Sequence, residues 1–213
     1  AAQGLSAQHV PTWNADEVAV PGKKRRVPFH EAPPDLLATD PSAWVMHPGD
    51  TWHGFDTLPD DYCMLDPIKV SVLTPGIGRD GALEQTGIPA TLVTAYLDRQ
   101  GIQVEKTTDF TILFLFSFGV TKGKWGTLMN ALLDFKRDYD ANLPLEHALP
   151  GLAAANPARY GKLGLRDLAG EMFDQLKRAK QTHWLAKAFS TLPEPRMTPA
   201  AAYRELVLDR AEH

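Results

Sequence analysis

Residues 102–125, IQVEKTTDFTILFLFSFGVTKGKW, hold the most apolar run of the chain and decide how it folds. Within it, Phe110–Phe118 reads FTILFLFSF. In an extended strand Phe110, Ile112, Phe114, Phe116 and Phe118 point one way, and Thr111, Leu113, Leu115 and Ser117 the other. Both faces are mostly apolar, which predicts a central strand covered on both sides. The run is too short to cross a bilayer, so a buried core strand is expected. Ile102, Val104 and Glu105 predict a shorter strand just before it, with Thr107–Asp109 as the turn between the two. Glu105 then stands at a strand end beside the core. It is either an exposed strand-end carboxylate or one aimed at a cationic ligand.

Upstream, Ile68–Thr74 (IKVSVLT) predicts another strand, with Val70, Val72 and Thr74 on one face. It runs into Gly76-Ile77-Gly78-Arg79-Asp80-Gly81, a literal G-x-G-x-x-G. After a strand, that spacing is a candidate nucleotide site if the third glycine opens a helix whose N-terminus can hold phosphate. Gly87 and Pro89 interrupt the segment that follows, which favours a loop. Leu92, Val93, Tyr96 and Leu97 then share one helical face, Pro89 suits the helix start and Gly101 its end. A second helix is expected over Lys122–Tyr139, with Trp125, Leu128, Met129, Leu132, Leu133 and Tyr139 on one side. The order β-α-β-β-α describes an α/β (α+β) unit of helices packed on a sheet.

The flanks divide the chain into three parts. Residues 1–50 are Pro-rich and irregular, with a helical turn possible at Pro34–Thr39 and a solvated hairpin tip at Lys23–Arg26. Residues 51–142 form the α/β unit and open on Trp52-His53-Gly54-Phe55, a loop dense in aromatic and polar groups. Residues 143–213 begin with a Pro-containing linker over Leu143–Asn156 and then turn helical. Leu165, Leu168, Ala169, Met172, Phe173 and Leu176 are an amphipathic stripe. A short helix follows at Thr182–Phe189. Thr198 caps another, which starts at Pro199 and places Tyr203, Leu206 and Val207 together.

Composition narrows the function classes. The chain has 213 residues, 44% hydrophobic and 23% charged, with a net charge of −4, which leaves no electrostatic footprint for nucleic acid or an anionic membrane. Its seven histidines and one cysteine make no zinc spacing, and Asp56, Asp60 and Asp61 lack the glycine and final glutamate of a calcium loop. The single Cys63, the absence of a membrane-length run and the absence of a signal-peptide core predict a cytoplasmic protein.

The segment GIQVEKT, an apolar strand, and then TKGKWGTLMNALLDFKRDYD together resemble the bacterial inducible ornithine/lysine/arginine decarboxylases. DTWHGF at 50–55, LDPIKVSVLTPG at 65–76 and FSTLPEPRMTP at 189–199 agree in the same order. The resemblance runs from about residue 44 to 207, and TKGKWGTL and QTHWLAKAFSTLPEP look most like the arginine branch. It implies a pyridoxal-phosphate (PLP) enzyme of the aspartate-aminotransferase fold. Residues 51–142 would be its small domain and residues 143–213 the start of its C-terminal domain. By resemblance, Glu105 binds the substrate's distal cation, and Trp52 and His53 line the pocket. The family's Schiff-base lysine follows a histidine, and no His-Lys pair occurs here. The chain is therefore expected to be part of a longer decarboxylase and inactive alone, with no catalytic, cofactor or metal ligand of its own. Its expected partners are the remainder of that enzyme, further copies in a homodimer or larger homo-oligomer, and a small basic amino acid. The rival readings are a catalytically idle assembly or regulatory module, and a nucleotide-binding domain using Gly76, Gly78 and Gly81.

Overall fold

A computed structural model describes residues 17–23, 26–50, 53–60, 63–78, 81–191 and 194–208. The chain divides into two compact units, Ala1–Phe173 and Asp174–His213. In the first, β1 (Glu17–Val18) and β2 (Val27–Pro28) pair antiparallel, with Lys23 and Arg26 exposed in the segment between them; Lys24 and Arg25 lie outside the described residues. The predicted helical turn is α1, Pro34–Thr39. β3 (Val45–Met46) pairs with β4 (Cys63–Met64). Val18, Val27, Ala32 and Ala43 make a small core here, with Phe29 edge-on to Trp44 at 5.4 Å.

The unit predicted as β-α-β-β-α is present in that order: β5 (Lys69–Leu73), α2 (Ala90–Arg99), β6 (Lys106–Thr107), β7 (Thr111–Leu115) and α3 (Lys122–Asp140). β7 is the central strand, antiparallel to β5 and β6 on either side. Gly101, at φ 76°, ends α2 in the left-handed region that glycine enters without strain, and the Ile102 amide returns to the Leu97 carbonyl. The Thr121 side chain accepts from the Lys124 amide and starts α3.

One face of the sheet carries the core. Phe110, Ile112 and Phe114 are buried with Leu92, Val93, Tyr96 and Leu97 of α2 and Leu128, Ala131 and Phe135 of α3. Each of the Leu, Val, Ile and Phe side chains among them contributes about 1.5–3 kcal/mol by leaving water. Tyr96 is wholly enclosed; its ring meets Phe135 edge-on at 5.3 Å and its hydroxyl donates to Asp138 Oδ2 at 2.6 Å. Burial first, and the Asp138 carboxylate second, push the phenol up to about 12. The buried stripe of α3 is therefore Leu128, Ala131 and Phe135, with Leu132 and Tyr139 beside it. Trp125, Met129 and Leu133, expected on that stripe, are exposed.

Two expectations about β7 are corrected. The strand ends at Leu115, and Phe118 projects fully into solvent instead of continuing the core face. Among the described residues the opposite face of the sheet is left open: Leu73 is 39% and Leu115 40% exposed. The shorter strand is shifted as well. It is Lys106–Thr107 rather than Ile102–Glu105, because Lys106 and Thr107 are the residues in register with Leu113 and Ile112. The turn accordingly moves to Thr108–Phe110, where the Thr108 amide donates to the Thr111 carbonyl at 2.9 Å.

The predicted linker is also core. α4 (Leu145–Ala148) and α5 (Pro150–Ala155) occupy Leu143–Asn156, and Leu145, Ala148 and Leu149 are buried against the sheet's helices. Pro144 and Pro150 act as helix starters, the position where a missing N–H costs nothing. Arg99 Nη1 donates to the Ala148 carbonyl at 3.0 Å and satisfies the end of α4. After α6 (Pro157–Tyr160), α7 (Leu165–Arg178) buries Leu165, Leu168, Ala169 and Phe173, as the stripe predicts.

The second unit holds α8 (Gln181–Ser190) and α9 (Pro199–Leu208). Thr198 caps α9 as expected, its hydroxyl accepting from the Ala201 amide at 3.2 Å. Tyr203, Leu206 and Val207 stand exposed in this chain rather than buried in a core. No helix among the described residues is long and apolar enough to cross a membrane.

Candidate functional site

Glu105 is the last residue before β6, exposed, with its amide donating to the Leu113 carbonyl at 2.9 Å. Its backbone is thus tied to the central strand although it is not itself a strand residue. The neighbouring anchor is a side-chain pair: Thr107 Oγ1 on β6 lies 2.9 Å from Thr94 Oγ1 on α2. Just before Glu105, Ile102 and Val104 are half-buried and pack against the core. Apolar residues therefore hold the segment down while the carboxylate stays outside. The Thr94–Thr107 pair carried no signal in the sequence, because two threonines thirteen positions apart are adjacent only once α2 has packed on β6.

The aromatic loop is partly visible. Trp52 lies outside the described residues. His53 sits in a turn where the Phe55 amide donates to its Nδ1 at 2.9 Å, its ring stacks on Phe55 at 5.5 Å between centroids, and its Nε2 lies 4.0 Å from Asp50 Oδ2. An accepting Nδ1 places the proton of the neutral imidazole on Nε2, toward Asp50. His47 Nδ1 makes a further bond to Asp60 Oδ1 at 2.6 Å. None of these contacts joins His53 to Glu105.

The glycines serve packing. Gly76 (φ 113°) and Gly81 (φ 78°) turn a loop that folds back on itself, with Ile77 bridged to Leu83 and the Glu84 amide donating to the Gly76 carbonyl. Gly81 opens no helix; α2 begins only at Ala90. A Cβ on Gly76 would lie 2.5 Å from Gly87 Cα and 2.7 Å from the Phe173 ring, and one on Gly87 would lie 2.3 Å from that ring. The close backbone approach that a phosphate would need is filled by an aromatic side chain, which corrects the nucleotide reading. Arg79 and Asp80 lie outside the described residues.

A PLP enzyme needs a lysine that can carry the cofactor, held in a pocket that shifts its pKa, and donors for the phosphate. No lysine is buried among the described residues, and the half-buried Lys136 is paired with Asp140. The glycine loop is occupied by Phe173. The described residues therefore do not fit the cofactor, and no step through it is assigned to them. No group of His, Cys, Asp and Glu that could hold a metal occurs among them either.

The chain is similar to known proteins along most of its length. A family model described as Orn/Lys/Arg decarboxylase, major domain, matches residues 7–124. The match thus begins well before residue 44, and the first part of the chain shares the relationship. Biodegradative arginine decarboxylase of Escherichia coli (strain K12) is 50% identical over 200 residues, 94% of this chain and 26% of that protein. Lysine decarboxylase LdcA of Pseudomonas aeruginosa is 46% identical over 169 residues, 79% of this chain and 22% of its own length. Inducible ornithine decarboxylase of Lactobacillus sp. (strain 30a) is 32% identical over 191 residues, 88% of this chain and 26% of that protein. Among solved structures, E. coli constitutive lysine decarboxylase superposes with a TM-score of 0.71 at 41% identity, covering 78% of this chain and 23% of that one. The chain spans about a quarter of the length of the curated relatives it matches.

Proposed function

The chain belongs to the Orn/Lys/Arg decarboxylase family, and from that premise we propose that it supplies the distal end of the substrate pocket in a PLP-dependent decarboxylase of a basic amino acid, arginine by preference. The complete enzyme converts the amino acid and one proton to the amine and CO2. The cofactor and the bond-breaking groups are carried outside the described residues, in the remainder of the enzyme, and the assembled form is a homodimer or larger homo-oligomer.

The observation that carries this reading is the placement of Glu105. It is a carboxylate fixed by its backbone to the central strand, held down on one side by Ile102 and Val104, and left open on the other. The substrates of this reaction carry an ammonium or guanidinium several methylenes from the reacting carbon. Such a cation entering a dry pocket needs a fixed counter-charge, or its lost hydration goes uncompensated. Two parallel hydrogen bonds from a guanidinium to one carboxylate favour arginine over lysine on geometry. Trp52 and His53 are assigned to the lining of the same pocket.

The substrate itself provides the test. Citrulline has the shape of arginine with an uncharged distal group. The complete decarboxylase should prefer arginine over citrulline by roughly 10²-fold or more in kcat/KM, the scale of a charge-assisted recognition step. Equal use of the two would show that no counter-charge meets the distal group.

A further inference from the structure

We propose that Thr94 and Thr107 are positioning residues for Glu105, setting its place through the short edge strand β6. The proposal rests on the reading of Glu105 as the residue that meets the substrate's distal cation. β6 has only two residues, and a pairing that short is marginal by itself. Glu105 precedes it directly, so the carboxylate stands wherever β6 is pinned. The register is Lys106 opposite Leu113 and Thr107 opposite Ile112. A slip of one residue would exchange the faces of Lys106 and Thr107 and carry Glu105 with them.

Beside the Glu105 amide on the Leu113 carbonyl and the packing of Ile102 and Val104, two described side-chain contacts oppose that slip. The Thr108 turn closes the β6–β7 end, with Thr108 Oγ1 2.6 Å from Thr111 Oγ1. On the approach to Glu105, residues Ile102, Gln103 and Val104 border a groove of about 450 Å³ whose other wall includes Thr91, Thr94 and Asp98 of α2. Packing is therefore incomplete along that side. Across it, the Thr94–Thr107 bond is a side-chain tie between β6 and a helix whose Leu92, Val93, Tyr96 and Leu97 are locked in the core. A rigid helix thereby fixes a two-residue strand, and the strand fixes the carboxylate. Both threonines are half-buried, so their mutual hydrogen bond is partly shielded from water.

Two measurements test this, one on the 213-residue chain and one on the complete decarboxylase. In the chain, Thr94→Val should speed hydrogen exchange of the Glu105 amide by about tenfold or more relative to the Phe135 amide, because it frees β6 without opening the core. Thr94→Ser, which keeps a hydroxyl, should restore slow exchange. In the complete enzyme, T94V should raise KM for arginine about fivefold or more with kcat within about twofold, and should add nothing when Glu105 is already Gln. Unchanged exchange at Glu105, or a KM effect as large in the E105Q background as in wild type, would overturn the proposal. Wild-type kinetics for E105Q would instead remove the underlying reading of Glu105, and the proposal with it, whatever the exchange shows.

Discussion

Asn142 and Asp167, in a loop and a helix far apart in sequence, hold each other: Asn142 Nδ2 donates to Asp167 Oδ2 at 2.9 Å. The other half of the same amide, Oδ1, accepts from the backbone amides of Arg166 and Asp167 at 2.9 and 3.2 Å. The Gly164 amide donates to Asp167 Oδ2 at 3.0 Å. Asn142 thus does for the first turn of α7 what an N-cap residue usually does, but from another part of the chain. It adopts φ 49°, a conformation asparagine tolerates, and a Cβ on Gly164 would collide with it at 2.2 Å.

Replacing Asn142 by Ala should therefore cost about 1–2 kcal/mol at neutral pH, the value of a lost cap. Part of that cost depends on pH. The Asn142 hydrogen bond first, and the Gly164 amide second, hold the Asp167 carboxyl below its ordinary value. A depressed carboxylate contributes stability that is present above its unfolded pKa and is lost as pH falls through its folded one. The gap between wild type and N142A in urea unfolding should narrow as pH drops below about 4, the ordinary carboxylate range. A gap that stays constant through that range would show that the charge of Asp167 is not used.

Gly87→Ala should destabilise the chain by about 1–3 kcal/mol, the cost of overpacking a filled site. The new methyl would have to displace the Phe173 ring, which also meets Phe110 edge-on at 6.0 Å. Shortening the ring by Phe173→Leu should recover part of the loss. NAD and ATP at millimolar concentration should leave the melting temperature unmoved. A clear rise would restore the glycine loop as a nucleotide site, since a ligand at a hundred times its Kd stabilises by about 2.7 kcal/mol.

The parts legible in the sequence are those where one local pattern decides the outcome. Leu92, Val93, Tyr96 and Leu97 between Pro89 and Gly101 specify α2, and Thr198-Pro199 specifies the start of α9. The parts misread are those decided by distant partners. Pro144 and Pro150 read as linker punctuation, yet each starts a short helix that completes the core, α4 with Leu145 and Ala148 and α5 with Ala153. Phe135 escaped the α3 stripe because Leu133 and Met129 make an equally apolar neighbouring face, and only the sheet chooses between them. The site divides in the same way. Glu105 was found through the wording of GIQVEKT, whereas Thr94 and Thr107, which tie its strand to a helix, have no local signature.

The central claim is that Glu105 meets the distal cation and breaks no bond, and Glu105→Gln in the complete decarboxylase tests it most directly. The substitution keeps the shape and removes the charge, so recognition should lose on the order of 3–5 kcal/mol, the scale for breaking a buried pair. That corresponds to a fall of roughly 10²- to 5 × 10³-fold in kcat/KM for arginine, with the preference over citrulline largely erased and the cofactor absorbance unchanged. Arginine kinetics within about threefold of wild type, the scale of an exposed ion pair and far below that of a buried one, would contradict the account and leave Glu105 as an exposed carboxylate at the edge of a sheet.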